Sequence, residues 1–368
     1  MSTALIGKRL KALRDQRDLK QDDIAEILGF KDRQTISAIE NGERKVKPDE
    51  LMTLVERLGV DLDFFTDALR LEGEGRFSWR RGADVPAARL DSYERLSGRW
   101  IAAYRELSRR TGNVIPLIRP QLPLDKFSSY ADAAEAGERF AREFDLGHVP
   151  SARLAEVMEG QLGILVLMVD SADGISGAAC SLPELGAVLI NRREVKGRRH
   201  FDLAHELFHL MTWDKMPPER SEALDGRGHV EKLADRFASA LLIPRWLLND
   251  IDWRSLVGPA LPDAINARAT ALGVSAEALR WRLAHTGLLA QKTARDIPSV
   301  ALRNNGAVDL VQPIVPPLYS KTFMSVIAEA IDGGFISVRR TAKLLDTTID
   351  GIGDLMVAYG VAVPDTVR

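Results

Sequence analysis

HFDLAHELFHL, residues 200–210, holds three of the six histidines of the chain. Apolar side chains recur every three or four positions along this stretch, which predicts an amphipathic helix. His205 and His209 are four residues apart and therefore lie on one face of that helix, with Glu206 beside them. The pattern H-E-x-x-H is typical of helices that bind zinc through two imidazoles and use the glutamate as a general base. We therefore predict a metal site here, with Glu206 as the catalytic residue.

A catalytic zinc ion needs a third protein ligand and an open fourth position. Glu231 is the best candidate, because it begins the amphipathic stretch EKLADRFASALLIP. Asp235 shares its helix face and is placed to accept a hydrogen bond from His205, which would fix the tautomer of that ring. His229 remains an alternative third ligand, or a donor to the oxyanion. Zn²⁺ is the expected cofactor, with Mn²⁺ as a candidate substitute in vitro.

A buried helix without a metal is the competing interpretation of the same residues. That interpretation leaves two imidazoles and a carboxylate in an apolar core, where polar groups without partners cost several kcal/mol. The metal site is therefore the favoured interpretation.

Length and composition limit the class of protein. A chain of 368 residues with 45% hydrophobic and 28% charged residues predicts a globular protein of two or three domains. The net charge of -2 neither favours nor excludes a nucleic-acid partner. The single cysteine, Cys180, excludes an intramolecular disulfide. No stretch resembles a signal peptide or a membrane span, so we expect a cytoplasmic protein with no membrane association.

The fold class predicted from these patterns is α+β, mainly helical with a small β-sheet. Strands are predicted only at 163–169 and 187–192. The expected units are an all-helical N-terminal bundle at 1–70, a helical spacer with linkers at 71–124, a metal-binding domain at 125–290 and a helical C-terminal region at 291–368.

The N-terminal bundle begins with short helices that stop at Gly29 and Gly42. Ala25 and Gly29 are small where two helices must cross closely, and Asp32 can cap the third helix by accepting its free amide hydrogens. Gln21, Ala25, Gly29 and the sequence TIS at 35–37 resemble the lambda-repressor/Cro type of helix-turn-helix, the XRE family. The resemblance covers about the first 67 residues.

The resemblance implies binding of double-stranded operator DNA by a homodimer that spans two half-sites. The residues implied to meet base edges in the major groove are Arg33, Gln34, Thr35 and Ser37. The residues implied to contact phosphates are Gln21, Arg44, Lys45 and Lys47. A bundle that binds only protein is the competing interpretation.

Three separated blocks in the second half resemble the ImmA/IrrE metallopeptidases, from roughly 125 to 290. They are Asn191, the stretch RRHFDLAHELFHL and the pattern ExxADRFASALLIP. The resemblance implies a zincin-like metallopeptidase domain with His205, His209 and Glu231 on zinc and Glu206 in catalysis. It also implies cleavage of an XRE-type repressor after DNA damage, phage attack or transfer of a mobile element.

One residue departs from the pattern of that family. Phe208 stands where the family usually has glycine. A ring at this position is expected to narrow the cleft and to reduce peptidase activity.

Three weaker signals lie near the predicted site. AVLINR at 187–192 is expected to form an edge strand, either an ordinary one or one that pairs with an extended substrate near Asn191. Cys180 is a candidate thiolate switch, or only a small packed residue. The basic run is a candidate site for single-stranded DNA as activator, or only a solvated loop. That run comprises Arg192, Arg193, Lys196, Arg198 and Arg199.

The combined prediction is a DNA-binding transcriptional regulator with a zinc metallopeptidase domain. Its predicted substrate is a repressor, either a separate XRE-type partner or the regulator itself, cleaved in response to a stress signal. The alternative is a non-proteolytic transcription factor whose metal-binding domain senses a ligand or a partner.

Overall fold

The computed structural model describes residues 3–82, 85–218, 221–223, 228–302 and 315–367. Its helical content and single small sheet confirm the predicted α+β class.

The N-terminal bundle packs short helices around a small apolar core. Its helices are α1 (Thr3–Gln16), α2 (Gln21–Leu28), α3 (Gln34–Glu40), α4 (Pro48–Leu58) and α5 (Leu62–Thr66). Ile24, Ile36 and Leu54 have no exposed surface in this core. Gly29 ends α2 in the left-handed conformation, at φ 68°, which a glycine adopts without strain. The helices predicted from the sequence and this turn are therefore present.

One side chain of α1 joins the bundle to the rest of the chain. The Arg9 guanidinium has no exposed surface and donates to the backbone oxygens of Phe64, Asp67 and Arg70. It also forms an ion pair of 3.2 Å with Glu74, two residues before the first strand. Arg9 therefore fixes the segment that leads from the bundle to the first strand against α1.

Within the described ranges, five strands form one mixed sheet in the order β2-β4-β3-β1-β5. The strands are β1 (Arg76–Arg81), β2 (Ile164–Val169), β3 (Ile175–Ser181), β4 (Gly186–Asn191) and β5 (Ser221–Ala223). β3 is antiparallel to both β1 and β4, whereas β2 is parallel to β4 and β5 is parallel to β1.

Helices cover both faces of the sheet. The helices beyond the bundle are α6 (Ala87–Thr111), α7 (Tyr130–Glu143), α8 (Pro150–Gly160), α9 (Lys196–Thr212), α10 (His229–Leu242), α11 (Ala260–Leu272), α12 (Ala276–His285), α13 (Gln291–Asp296), α14 (Lys321–Asp332), α15 (Val338–Leu345) and α16 (Ile349–Ala358). Ala179 and Val188 point into the core shared with α9 and α10. Ala178 and Leu189 point into the opposite core, shared with α6 and α14. None of the helices in the described ranges has the length and apolarity to cross a membrane.

The prediction of strands only at 163–169 and 187–192 is wrong. Those two stretches form β2 and β4, but β1, β3 and β5 were not predicted. β3 reads ISGAACS and is buried on both faces, so its small residues give neither the alternation nor the β-branched content that indicates a strand. β1 lies in the expected spacer 71–124, which therefore supplies part of the sheet. The other domain boundaries stay predictions.

The expected edge strand is also wrong. β4 pairs with β2 on one side and with β3 on the other, so its backbone hydrogen bonds are already used. A substrate cannot add to it, and the described sheet has its edges at β2 and β5.

Close packing of α7 on α10 gives a first testable prediction. A Cβ atom built on Gly137 would lie 2.4 Å from the backbone oxygen of Phe237 and 2.9 Å from the nitrogen of Leu241. Gly137→Ala should therefore lower the free energy of unfolding by about 2 kcal/mol, measured by urea denaturation. Gly160→Ala is the matched control, because a Cβ there meets no atom of the described residues within 4 Å. Equal midpoints for the two variants would contradict the packing of α7 on α10.

Candidate metal centre

Two packed helices bring three potential ligand atoms together. His205 and His209 project from α9, and Glu231 projects from the first turn of α10. The Nε2 atom of His205 lies 3.2 Å from Oε2 of Glu231, and the Nε2 atom of His209 lies 3.3 Å from Oε1. The two Nε2 atoms are 3.1 Å apart. All three side chains are buried, so this is a compact cluster inside the protein.

The cluster fits a metal ion in both spacing and chemistry. A tetrahedral zinc ion with bonds of about 2.0–2.1 Å separates its ligand atoms by about 3.3–3.4 Å. The three observed separations lie within a few tenths of an ångström of that spacing. Two imidazoles and one carboxylate are also a donor set that catalytic zinc sites use. The three residues therefore form a possible metal site.

Asp235 contacts His205 on the side of the ring that faces away from the other two ligands. Its Oδ1 atom lies 3.0 Å from Nδ1 of His205, the ring nitrogen that faces away from Glu231. Burial would raise the pKa of Asp235, but its interactions with His205 and Arg80 together outweigh burial and hold the pKa below the usual range. A carboxylate at Nδ1 fixes the His205 tautomer and leaves Nε2 directed at the cluster.

Glu206 is buried beside the ligands. Its Cγ atom lies 3.9 Å from the position that a Cβ atom would take at Gly177 of β3. Burial raises the pKa of Glu206 to about 7. A carboxylate with that pKa is suited to exchange protons near neutral pH.

Arg80 of β1 belongs to this site and was not predicted. Its Nη1 atom lies 2.7 Å from Oδ1 of Asp202 on α9, and its Nη2 atom lies 3.9 Å from Oδ1 of Asp235. Burial would lower the pKa of the guanidinium, but these two carboxylates, together with Glu206 and Glu231, outweigh it and raise the pKa. One buried cation thus connects β1 to both helices of the site.

A sequence signal for the strand that carries Arg80 did exist, although not for its role at the site. Phe77 and Trp79 are apolar and alternate with Ser78 and Arg80, which is the two-residue period of a strand. The signal covers only four residues within a stretch rich in glycine and arginine.

Family models match two separate parts of the chain. Residues 10–65 match the model described as a helix-turn-helix, and residues 159–284 match the peptidase M78 model, described as an IrrE N-terminal-like domain. The chain is a fusion of an XRE-type helix-turn-helix with an IrrE-like domain.

The chain was also compared with curated proteins and with solved structures. No curated protein matches the chain. Among solved structures, the chain is similar to the apo form of the competence regulator ComR from Streptococcus vestibularis. The identity is 12%, the match covers 91% of this chain and 99% of that one, and the TM-score is 0.17. A score this low carries no argument about the fold.

Several other residues predicted for the IrrE-like domain lie outside the cluster. The His229 ring hydrogen-bonds with the Ser128 backbone oxygen at 3.1 Å and with the Tyr130 hydroxyl at 3.4 Å. The structure therefore brings Glu231, and not His229, together with the two imidazoles of α9. Asn191 donates to the Ile175 backbone oxygen at 3.3 Å, so its side chain is used within the sheet.

Cys180 cannot reach the ligands. It lies on the face of β3 that packs on α6 and α14, whereas the cluster lies on the opposite face. Complete burial also raises the pKa of its thiol, which disfavours the thiolate. The structure therefore contradicts the switch and favours the packed residue.

Phe208 does not narrow the cleft. It has no exposed surface, and its ring centroid lies 5.6 Å from that of Phe237 on α10. The ring thus fills space between the two helices, and its effect on peptidase activity stays a prediction.

The basic run near the site is largely paired within the protein. Arg192 and Arg193 both contact Asp170 at 2.8 Å and lower its pKa to about 2. Arg198 lies 3.7 Å from Asp202, and Arg199 donates to two backbone oxygens. Lys196 is exposed. These contacts favour a structural role for the run.

The start of α3 lies at the surface of the helix-turn-helix domain. Oδ1 of Asp32 accepts from the amides of Gln34 and Thr35 at 3.0 and 3.2 Å, as the predicted cap requires. Arg33 and Gln34 are exposed, whereas Thr35 and Ser37 are half-buried.

The residues expected to contact phosphates differ in their availability. Gln21 donates to Glu40 at 2.8 Å, and Arg44 is paired with Glu50 at 2.7 Å. Both side chains are thus engaged within the bundle. Lys45 and Lys47 are exposed.

The pairing of Arg80 with Asp202 gives a second prediction. Arg80→Met leaves the buried Asp202 carboxylate without its 2.7 Å partner, so the free energy of unfolding should fall by about 3 kcal/mol. Adding Asp202→Leu should recover most of that loss, as measured by urea denaturation. Arg193→Met is the control, because that guanidinium is exposed. An Arg80→Met variant as stable as this control would exclude the buried pair.

Proposed function

We propose that the chain is a transcriptional regulator whose IrrE-like domain is a zinc-dependent endopeptidase. The observation that carries this proposal is the convergence of His205, His209 and Glu231 beside the buried Glu206. The family match of residues 159–284 supports it.

The residues of the chain divide the chemistry between them. His205, His209 and Glu231 would hold the zinc ion, which supplies a Lewis acid for the carbonyl group of the scissile peptide bond. Glu206 accepts the proton of the attacking water and then passes a proton to the leaving amine. Asp235 keeps the His205 ring in the tautomer that presents Nε2.

We also propose that the helix-turn-helix domain binds an operator in double-stranded DNA as a homodimer. Exposed Arg33 and Gln34 suit guanine and adenine edges in the major groove, while Lys45 and Lys47 suit phosphates. A DNA ligand implies action in the cytoplasm.

The proposed substrate is a repressor, because the peptidase domain is fused to a DNA-binding domain. Either a separate XRE-type protein or a second copy of this chain would present such a substrate. The proposed trigger is a stress signal such as DNA damage or invading DNA.

One observation favours the alternative of a non-proteolytic sensor. The exposed fractions of His209 and Glu206 are 0% and 2%, so a peptide must displace covering residues to reach them. A metal in so closed a site also fits a structural or sensing role.

Metal content tests the site itself. The wild-type chain should carry one zinc ion, because three ligands are preformed, and His205→Ala and Glu231→Ala should each lose it. Native and denaturing mass spectrometry report the bound ion. His229→Ala is the matched control and should retain zinc, since that ring contacts Ser128 and Tyr130 instead. The same metal content in all four proteins would exclude this ligand set.

Cleavage tests the enzyme against the sensor. Incubation of the zinc-loaded chain with XRE-type repressors should yield fragments, and Glu206→Gln should slow their formation at least about a hundredfold while zinc content stays unchanged. Fragment masses identify the bond. Cleavage that persists in Glu206→Gln would remove the proposed base, and a zinc-loaded wild type that cleaves nothing would support the sensor.

DNA binding is tested with duplexes selected by the full chain from a random library. Arg33→Ala together with Gln34→Ala should weaken binding to the selected duplex about tenfold or more at fixed salt, measured by fluorescence anisotropy. Arg139→Ala on α7 is the control. An unchanged affinity of the double variant for every selected duplex would contradict readout by α3.

A further inference from the structure

A second cavity lies beside the candidate metal centre. It has a volume of about 690 Å³, is open to solvent, and is bounded by the beginning of α9, by α10 and by α12. It reaches Asp235 on the Nδ1 side of His205, whereas the proposed ion lies on the Nε2 side. The cavity is thus distinct from the position where a scissile peptide would lie. Its volume is in the range of sites for small organic ligands.

The acidic groups of the cavity wall already have partners within the protein. Asp202 is paired with Arg80 at 2.7 Å and Asp235 with His205 at 3.0 Å. Glu277 forms an ion pair with Arg280, outside the wall. Each carboxylate of this wall is therefore already engaged by a side chain of the protein.

Two cations of the same wall have no such partner. Lys232 and Arg236 lie one turn apart on α10, and neither forms an ion pair within the described part of the chain. Arg236 is half-buried, and its Cζ atom lies 5.6 Å from the ring centroid of Tyr130. Burial lowers the pKa of this guanidinium, and the neighbouring Asp235 offsets only part of that effect. The cavity therefore favours an anion.

The opposite wall is aromatic. Trp281 of α12 stacks on His285, with ring centroids 6.2 Å apart and planes at 22°. Partial burial and the nearby Arg236 lower the pKa of His285 to about 4, so this ring is neutral at pH 7. Phe201 of α9 completes the apolar lining. A flat apolar body fits such a wall better than a hydrated inorganic ion does.

We propose that this cavity binds a small organic anion, whose planar body packs on Trp281 and Phe201 and whose acid group pairs with Lys232 and Arg236. The proposal concerns binding alone and does not depend on peptidase activity. Because Asp235 is part of the wall, the ligand would lie one hydrogen bond away from His205.

Calorimetric titration of the full chain with two matched probes tests this proposal. Naphthalene-2-carboxylate carries the required charge, and naphthalene-2-carboxamide has the same body without it. The carboxylate should bind about tenfold more tightly than the carboxamide, because charge-assisted hydrogen bonds are the strong ones. Equal affinities, or no binding of the carboxylate at millimolar concentration, would overturn the proposal.

Variants locate the binding to this cavity. Arg236→Gln should weaken binding of the carboxylate about tenfold and leave the carboxamide unchanged. Lys232→Gln should weaken it several-fold, and it removes an exposed side chain that the fold does not need. Arg57→Gln, on the surface of the helix-turn-helix domain, is the control with the same change of charge. An affinity for naphthalene-2-carboxylate that is unchanged in Lys232→Gln and in every folded Arg236 variant would overturn the assignment. N-acetylglutamate N-methylamide mimics an acidic peptide, and its binding more tightly than naphthalene-2-carboxylate would also overturn the assignment.

Discussion

The hydrogen bond between Asp235 and His205 fixes the geometry on which the site depends. It orients one imidazole so that Nε2 faces His209 and Glu231. Asp235 comes from α10 and His205 from α9, so the bond also sets the position of one helix against the other. Arg80 approaches the same carboxylate from the sheet, at 3.9 Å, and contacts α9 through a second carboxylate. Buried charges of this kind contribute little net stability, but they restrict the helices to one arrangement.

The strand that carries Arg80 also links the site to the DNA-binding bundle. Glu74, just before β1, pairs with Arg9 of α1 and with Arg105 of α6 at 2.6 Å. Six residues further along the same strand region, Arg80 reaches the site. The backbone of β1 is therefore a path between the Arg9–Glu74 ion pair and Arg80, which supports a proposed metal ligand. Such a path supplies contact between the two regions, whereas energetic coupling needs an element with two arrangements.

Sequence reasoning succeeded where a pattern repeats locally. Four-residue spacing on α9 and α10 was enough to predict the helices that carry His205, His209 and Glu231, and the glycine that ends α2 was enough to predict the turn of the bundle. It failed where tertiary pairing decides the structure. β3 has small residues on both faces, and β1 was hidden in a stretch rich in glycine and arginine. The role of Arg80 depends on residues more than a hundred positions away, so no local pattern could reveal it.

Packing between α9 and α10 explains how the ligands keep their places. Phe208 and Phe237 meet at the centre of that contact, with ring centroids 5.6 Å apart, and both are fully buried. A glycine at position 208 would leave the space of this ring empty between the two helices. Zinc fingers fold only when the ion binds, because their cores are too small to hold the ligands. Here an extensive apolar core surrounds both helices, so folding of the protein places the ligands before any ion binds. Binding of the ion then adds to stability without having to create the site.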